Sequence, residues 1–134
     1  MANIGHIIIC EEVLERQDNK LAIVGPLSMI VLDAIPNNYT FTASIAIFDI
    51  EPRIVYEFSV KVYSPSSEEL WGFNGDFDTQ ADAGWHSTIM NIPFRNFKFT
   101  SEGSYMIEVT LTNKNDEKQT QTKEFNFSVR KKES

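Results

Sequence analysis

The chain has little of what thiol or metal chemistry needs: one cysteine, Cys10, and two histidines. A single cysteine permits no internal disulfide, and two histidines alone do not make a metal or nucleophile site. Cys10 follows three isoleucines and precedes Glu11 and Glu12, a setting that does not favour a thiolate. We therefore expect Cys10 to pack as a small apolar side chain, and no metal or cofactor is predicted.

The sequence also lacks an excess of positive charge and any long apolar run. Twelve basic residues stand against 19 acidic ones, giving a net charge of -7, which argues against nucleic-acid and anionic-membrane partners. The one basic cluster, Arg130, Lys131 and Lys132, is interpreted as a solvated tail.

No apolar stretch approaches the roughly 18 residues of a membrane helix, and the start does not resemble a signal peptide. A cytoplasmic location is predicted.

Catalytic motifs are missing as well. We find no glycine-flanked serine, no phosphate-binding loop and no Cys/His pair with an orienting acid. Glu11 with Glu12, and Glu68 with Glu69, are sequence neighbours that point to opposite faces of a strand, so they do not form a carboxylate pair. We predict that the protein is not an enzyme. A catalytic site built from distant residues, such as His86 with two acids in one pocket, stays as an alternative.

What the sequence does have is a two-residue alternation of apolar and polar side chains. It runs through four segments, with apolar residues at every second position of 41–47, 56–62, 107–111 and 125–129. Successive side chains of a strand point to opposite faces, so this pattern predicts half-buried strands in antiparallel sheets.

Turn residues separate seven predicted strands, and we expect one domain over residues 1–134. The strands are predicted at 4–14, 21–32, 39–50, 54–63, 86–99, 104–112 and 119–129. Gly25-Pro26 predicts a bulge or a sheet-edge position. Tyr105, at the start of the sixth strand, resembles a tyrosine corner, whose hydroxyl bonds to backbone. The predicted fold is an all-β, immunoglobulin-like antiparallel β-sandwich.

The segment from Ser64 to Gly84 breaks this rhythm and is predicted to be a long loop with a binding function or a packing function. Aromatic residues beside polar ones can anchor a partner or stack on a sugar, and they can equally fold over the core. The candidate binding residues are Trp71, Phe73, Asn74, Asp76, Asp78, Asp82 and Trp85.

Asp76, Asp78 and Asp82 also suggest a calcium loop, because calcium prefers oxygen ligands from flexible segments. The spacing does not fit the calcium-loop motif, since no glycine stands at the sixth position and no glutamate at the twelfth. A solvated loop is the favoured interpretation. Calcium binding and carbohydrate binding are the alternatives.

Several segments together resemble an uncharacterised family of small bacterial proteins, described as domains of unknown function. They are residues 5–11 (Gly-His-Ile-Ile-Ile-Cys-Glu), residues 20–25 (Lys-Leu-Ala-Ile-Val-Gly), Ile35-Pro36, Phe99, Gly103 and Tyr105. The resemblance extends over nearly the whole chain. It implies a β-sandwich without a known activity, and it supplies no catalytic residue.

The sequence therefore predicts a non-catalytic protein-interaction or structural module of the bacterial cytoplasm. It would act through the 64–84 loop or through an exposed sheet edge. Edge strands carry unpaired backbone groups, so we expect a protein partner or self-association, including a homodimer formed through a sheet edge.

Overall fold

The computed structural model describes residues 2–18, 20–78, 86–116 and 119–133. Within these residues the chain forms nine strands and no helix. The strands are β1 (Asn3–Glu15), β2 (Leu21–Leu27), β3 (Met29–Leu32), β4 (Asn37–Ile50), β5 (Val55–Tyr63), β6 (Glu69–Asp78), β7 (His86–Phe99), β8 (Gly103–Asn113) and β9 (Thr120–Lys131). No helix long and apolar enough to cross a membrane occurs in this part of the chain.

The strands form two sheets that pack face to face as a β-sandwich. The four-stranded sheet has the order β2-β1-β4-β7, and the five-stranded sheet has the order β3-β9-β8-β5-β6. All pairings are antiparallel except that of β3 with β9, which is parallel. The predicted all-β sandwich is confirmed.

The prediction of seven strands was too low, for two physical reasons. The second predicted strand divides at Ser28, where the chain leaves the four-stranded sheet as β2 and joins the five-stranded sheet as β3. The predicted 64–84 loop contains β6, whose backbone pairs with β5 from Val55 to Tyr63. Glycines and acids made the segment resemble a loop, but a neighbouring strand supplies its hydrogen bonds.

Elsewhere the two-residue alternation predicts the buried faces correctly. In β8, Tyr105, Ile107, Val109 and Leu111 are buried, and each residue between them is partly open to solvent. Strand β5 follows the same rule. These inward faces of both sheets form one apolar core.

An aromatic cluster fills one end of this core and joins the two sheets. Phe41 of β4 lies at its centre, with ring centroids 4.9 Å from Phe94, 6.1 Å from Phe99 and 6.0 Å from Phe127. Phe127 belongs to β9, so this contact crosses between the sheets. Aromatic pairs at such distances add stabilisation beyond the area they bury.

The predicted tyrosine corner is present where the chain passes from one sheet to the other. Tyr105 is buried, and its hydroxyl donates a hydrogen bond to the backbone carbonyl of Ser101, at 2.8 Å. The ring also packs edge-on against Phe99 of the opposite sheet, at 5.1 Å. The tyrosine therefore fixes the short connection between β7 and β8.

One buried tyrosine, Tyr56, and one partly buried tyrosine, Tyr39, make stability depend on pH in the alkaline range. Burial raises the pKa of Tyr56 and of Tyr39, so the folded chain retains hydroxyl protons that the unfolded chain releases. The free energy of unfolding is therefore expected to fall as pH rises past about 10, the usual pKa of tyrosine.

Urea unfolding between pH 8 and pH 11 measures this slope. Tyr56→Phe is expected to make it shallower, whereas Tyr63→Phe, at a position on the solvent side of β5, serves as the control. An unchanged slope in Tyr56→Phe would contradict the assignment.

Candidate functional site

The candidate site is strand β6, at one edge of the five-stranded sheet. One side of β6 pairs with β5 along its length, and within the described residues no strand pairs with its other side. The sequence predicted the candidate binding segment and an exposed sheet edge as separate locations, but residues 69–78 of that segment form a sheet edge. We call the unpaired side of β6 the β6 edge.

The other three sheet edges have features that oppose pairing with another chain. Strand β3 has only four residues, and β2 is interrupted by Pro26. Strand β7 contains Pro93 and a positive-φ residue, Asn96. Proline and irregular backbone limit edge-to-edge pairing. The β6 edge has ten residues and no proline, so among the described strands it is the longest edge without a proline. Its pairing with β5 has one register shift, between Glu69 and Trp71, and is regular from Trp71 to Asp78.

The register of β5 and β6 shows which side chains share a face. Trp71 lies opposite Val62, and Phe73 lies opposite Val60, and both valines are fully buried. Directly paired residues point to the same face, so Trp71 and Phe73 face the space between the sheets. Asn74, one position further along β6, points to the opposite, outer face.

The structure therefore divides the predicted site residues. It brings Trp71 and Phe73 together, with stacked rings 6.5 Å apart, and it places Asn74 and Asp76 on outward positions of the strand. Asp82 and Trp85 lie outside the described residues, as does the side chain of Asp78.

Trp71 connects the edge to the aromatic cluster of the core. Its ring packs edge-on against Phe94 of β7, with centroids 4.8 Å apart. Phe73, next along the same face, is 50% exposed. Its ring lies over Gly75, where an added Cβ would come within 3.1 Å of it. The aromatic surface thus starts in the core and ends half open to solvent.

An apolar slot opens beside Phe73, between the edges of the two sheets. It has a volume of about 170 Å³ and is lined by Phe58, Phe73, Gly75, Asp76 and Met90. Met90 comes from β7, so both sheets contribute to it. We call it the β6–β7 slot. Its volume is below that of typical cofactor pockets, and it suits one apolar side chain.

The outer face of β6 is polar and charged. Asp76 forms an ion pair with Lys114 at 3.1 Å, and Glu69 forms one with Lys61 at 3.5 Å. Both pairs are exposed, so each adds little to stability. The described residues contain no group of three or more acids, histidines or cysteines placed to hold a metal ion, and Asp76 already has a cationic neighbour.

Cys10 lies away from this site. It is fully buried, and its thiol donates a weak hydrogen bond to the carbonyl of Thr42, at 3.5 Å. Burial raises the pKa of Cys10, which favours the neutral thiol. The structure confirms its predicted role as a packed apolar side chain.

The sequence did not predict strand β6 itself, nor the residues of other strands that line the β6–β7 slot with it. Trp71, Phe73 and Phe77 occupy alternate positions, and the set is interrupted only by Gly75. This short aromatic alternation is the signal that could have indicated a strand. Met90 and Phe58 could not be assigned to the site from sequence, because pairing between strands distant in the chain sets their positions.

Comparisons with known proteins agree with this architecture. The sequence profile of DUF6941, a family of unknown function, matches residues 6–129. The chain belongs to this family. This match to DUF6941 confirms the predicted resemblance to an uncharacterised family. No curated protein matches the chain in sequence.

Solved structures similar to this DUF6941 chain include two domains of low sequence identity. The C-terminal domain of Wzt has a TM-score of 0.58 and 9% identity, and the match covers 99% of this chain and 74% of that one. The soluble domain of PmoD from Methylocystis sp. has a TM-score of 0.41 and 16% identity, with 96% of each chain covered. The similarity to the Wzt domain shows that the two domains share a fold.

Proposed function

We propose that this protein is a non-catalytic interaction module that binds an extended segment of a partner protein along the β6 edge. The unpaired side of β6, ten residues without a proline, is the observation that carries the proposal. An added strand completes main-chain hydrogen bonds, and pockets for alternate side chains provide specificity.

The two faces of β6 define the chemistry of the partner segment. On the inner face, the β6–β7 slot accepts one apolar side chain beside Phe73. On the outer face, the exposed carboxylates of Glu69 and Asp76 each have one lysine neighbour, and because a carboxylate accepts several hydrogen bonds, each has room for one further basic side chain from a partner. A segment in which apolar and basic residues alternate matches both faces, because alternate residues of a strand point to opposite sides.

Charge also favours a different protein over a second copy of this chain. Strand β6 contains three acidic residues and no basic one, and the whole chain has a net charge of -7. Pairing two β6 strands would place like charges side by side, which is unfavourable on a sheet face. Self-association through β6 is therefore the less favoured interpretation, and the experiment below distinguishes it from binding to a different protein.

Hydrogen exchange measured by NMR tests the proposal directly. The probe is a peptide as long as β6 in which valine and lysine alternate, and a peptide with glutamate in place of lysine is the control. We expect the basic peptide to protect β6 amides from exchange, with a Kd below about 1 mM. The acidic peptide is expected to leave these amides unchanged.

Two matched variants locate the binding surface. Phe73→Glu places a charge at the slot and is expected to weaken peptide binding at least about tenfold. Val31→Glu changes an equally exposed residue on β3, at the far edge of the same sheet, and is expected to leave binding unchanged. Equal responses of the two variants, or no protection of β6, would overturn the proposal. Dimers seen in sedimentation and lost in Phe73→Glu would replace it with self-association.

The proposed setting is the bacterial cytoplasm. A single, buried cysteine is in keeping with a compartment where disulfides do not form. We also propose that the sandwich is immunoglobulin-like, a relationship that the hydrogen bond from Tyr105 to Ser101 supports.

A further inference from the structure

We propose a second binding site, for a small amphiphilic carboxylate, on the outer face of the four-stranded sheet. A groove of about 710 Å³ lies there between the hairpin of β1 and β2 and the strands β4 and β7. Its volume is in the range of small-molecule sites. We call it the hairpin groove, and residues that line it include Lys20, Leu21, Ile23, Ser44, Ser87 and Ile89.

Ser44 is the residue that points to a ligand. Its neighbours Ala43 and Ile45 are buried in the core, so its own side chain points away from the core, toward the outer face. The residue is 0% exposed, and its hydroxyl has no hydrogen-bond partner among the described residues. Buried polar groups in folded proteins are nearly always paired, and a ligand atom in the groove would supply the missing partner.

The remaining lining defines the ligand class. Leu21, Ile23 and Ile89 are aliphatic and suit an apolar body. Lys20 is the one charged residue among the described residues that line the groove, and its ammonium can pair with an anionic headgroup. Glu15, which pairs with Leu21, lines the neighbouring pocket and not this groove. A carboxylate accepts a hydrogen bond from Ser44 and is attracted to the Lys20 ammonium. A phosphate would need more donors than one lysine provides, so we assign a carboxylate on an aliphatic chain.

In this proposal, the carboxylate headgroup of the ligand reaches Ser44 past two exposed side chains, Leu21 and Ile89. Leu21 is 37% exposed and Ile89 is 42% exposed. Exposed side chains change rotamer within nanoseconds and at low cost. In this proposal, rotation of Leu21 or Ile89 gives the carboxylate access to Ser44, and the sheet itself does not have to move. The ligand then replaces solvent over the aliphatic residues.

Decanoate is the probe, and decyltrimethylammonium, with the same chain length and the opposite charge, is its control. Titrations followed by NMR of backbone amides are expected to shift groove residues with decanoate only. Lys20→Gln is expected to weaken decanoate binding several-fold, whereas Lys132→Gln, beyond the end of β9, is expected to leave it unchanged.

Ser44→Ala gives two readouts with opposite signs. Loss of the hydroxyl is expected to weaken decanoate binding at least tenfold and to raise the melting temperature of the ligand-free protein by a few degrees. A merely structural serine would not show this combination. A lower melting temperature in Ser44→Ala, unchanged decanoate binding in that variant, or equal binding of the two amphiphiles would each overturn the proposal. Because the hairpin groove and the β6 edge lie on different sheets, this result does not bear on peptide binding.

Discussion

Phe41→Ala is expected to lower the free energy of unfolding by about 4 kcal/mol, the largest effect of any single substitution considered. Phe41 is fully buried, and five aromatic rings surround it within 6.3 Å. Alanine would leave a cavity between the sheets that rings held by two backbones cannot close. Small domains have a total stability of roughly 5–15 kcal/mol, so the variant should be close to unfolding.

Phe48→Ala is the matched control for this substitution. Phe48 belongs to the same strand, but its side chain is 41% exposed, so its truncation should cost about 1 kcal/mol or less. Urea unfolding of both variants measures the two free energies. Similar losses in the two variants would mean that the aromatic cluster is not the stabilising centre of the sandwich.

Gly103→Ala is expected to cost about 3 kcal/mol, the second largest effect. Gly103 begins β8 with a φ of +138°, a region open almost only to glycine. A Cβ there would also lie 2.8 Å from Cγ of Pro65, so the strain of the backbone and a steric clash act together. The nearby Tyr105 corner holds this connection in place, which leaves the backbone little freedom to adjust.

Gly72→Ala controls for the general effect of replacing a strand glycine. The nearest atom to its added Cβ is 3.7 Å away, an ordinary contact, and alanine restricts the unfolded chain. We expect a change within about 0.5 kcal/mol, of either sign. Thermal unfolding followed by circular dichroism compares the two variants, and a loss in Gly72→Ala as large as that in Gly103→Ala would refute the role given to the positive φ.

The parts of the fold that sequence predicts well are strands with one face in the core. For β4, β5, β8 and β9 the predicted bounds lie within two residues of those observed, because burial of one face imposes alternation on the sequence. The predicted role of Tyr105 is confirmed for a related reason. A hydroxyl that is buried near a turn requires a backbone acceptor within reach.

The parts that sequence could not predict depend on partners distant in the chain. Strand β6 buries only part of one face at a sheet edge, so its alternation is interrupted by Gly75 and resembles a loop. Ser44 gave no signal at all, because a serine on the outer face of a strand is ordinarily solvated. The groove that Ser44 helps to line also takes residues from β2 and β7, which are distant from Ser44 in the chain.

The parallel pairing of β3 with β9 has a consequence for how the protein is made. Among the described strands, β3 has no other neighbour in its sheet, and Met29 pairs with Ser128, roughly a hundred positions later. While the chain is being synthesised, Ile30 and Leu32 of β3, which are buried in the folded protein, therefore stay without their neighbouring strand until β9 has been translated. Contacts of such long separation form slowly, so we expect maturation within milliseconds to seconds after β9 emerges, and aggregation-prone intermediates before it.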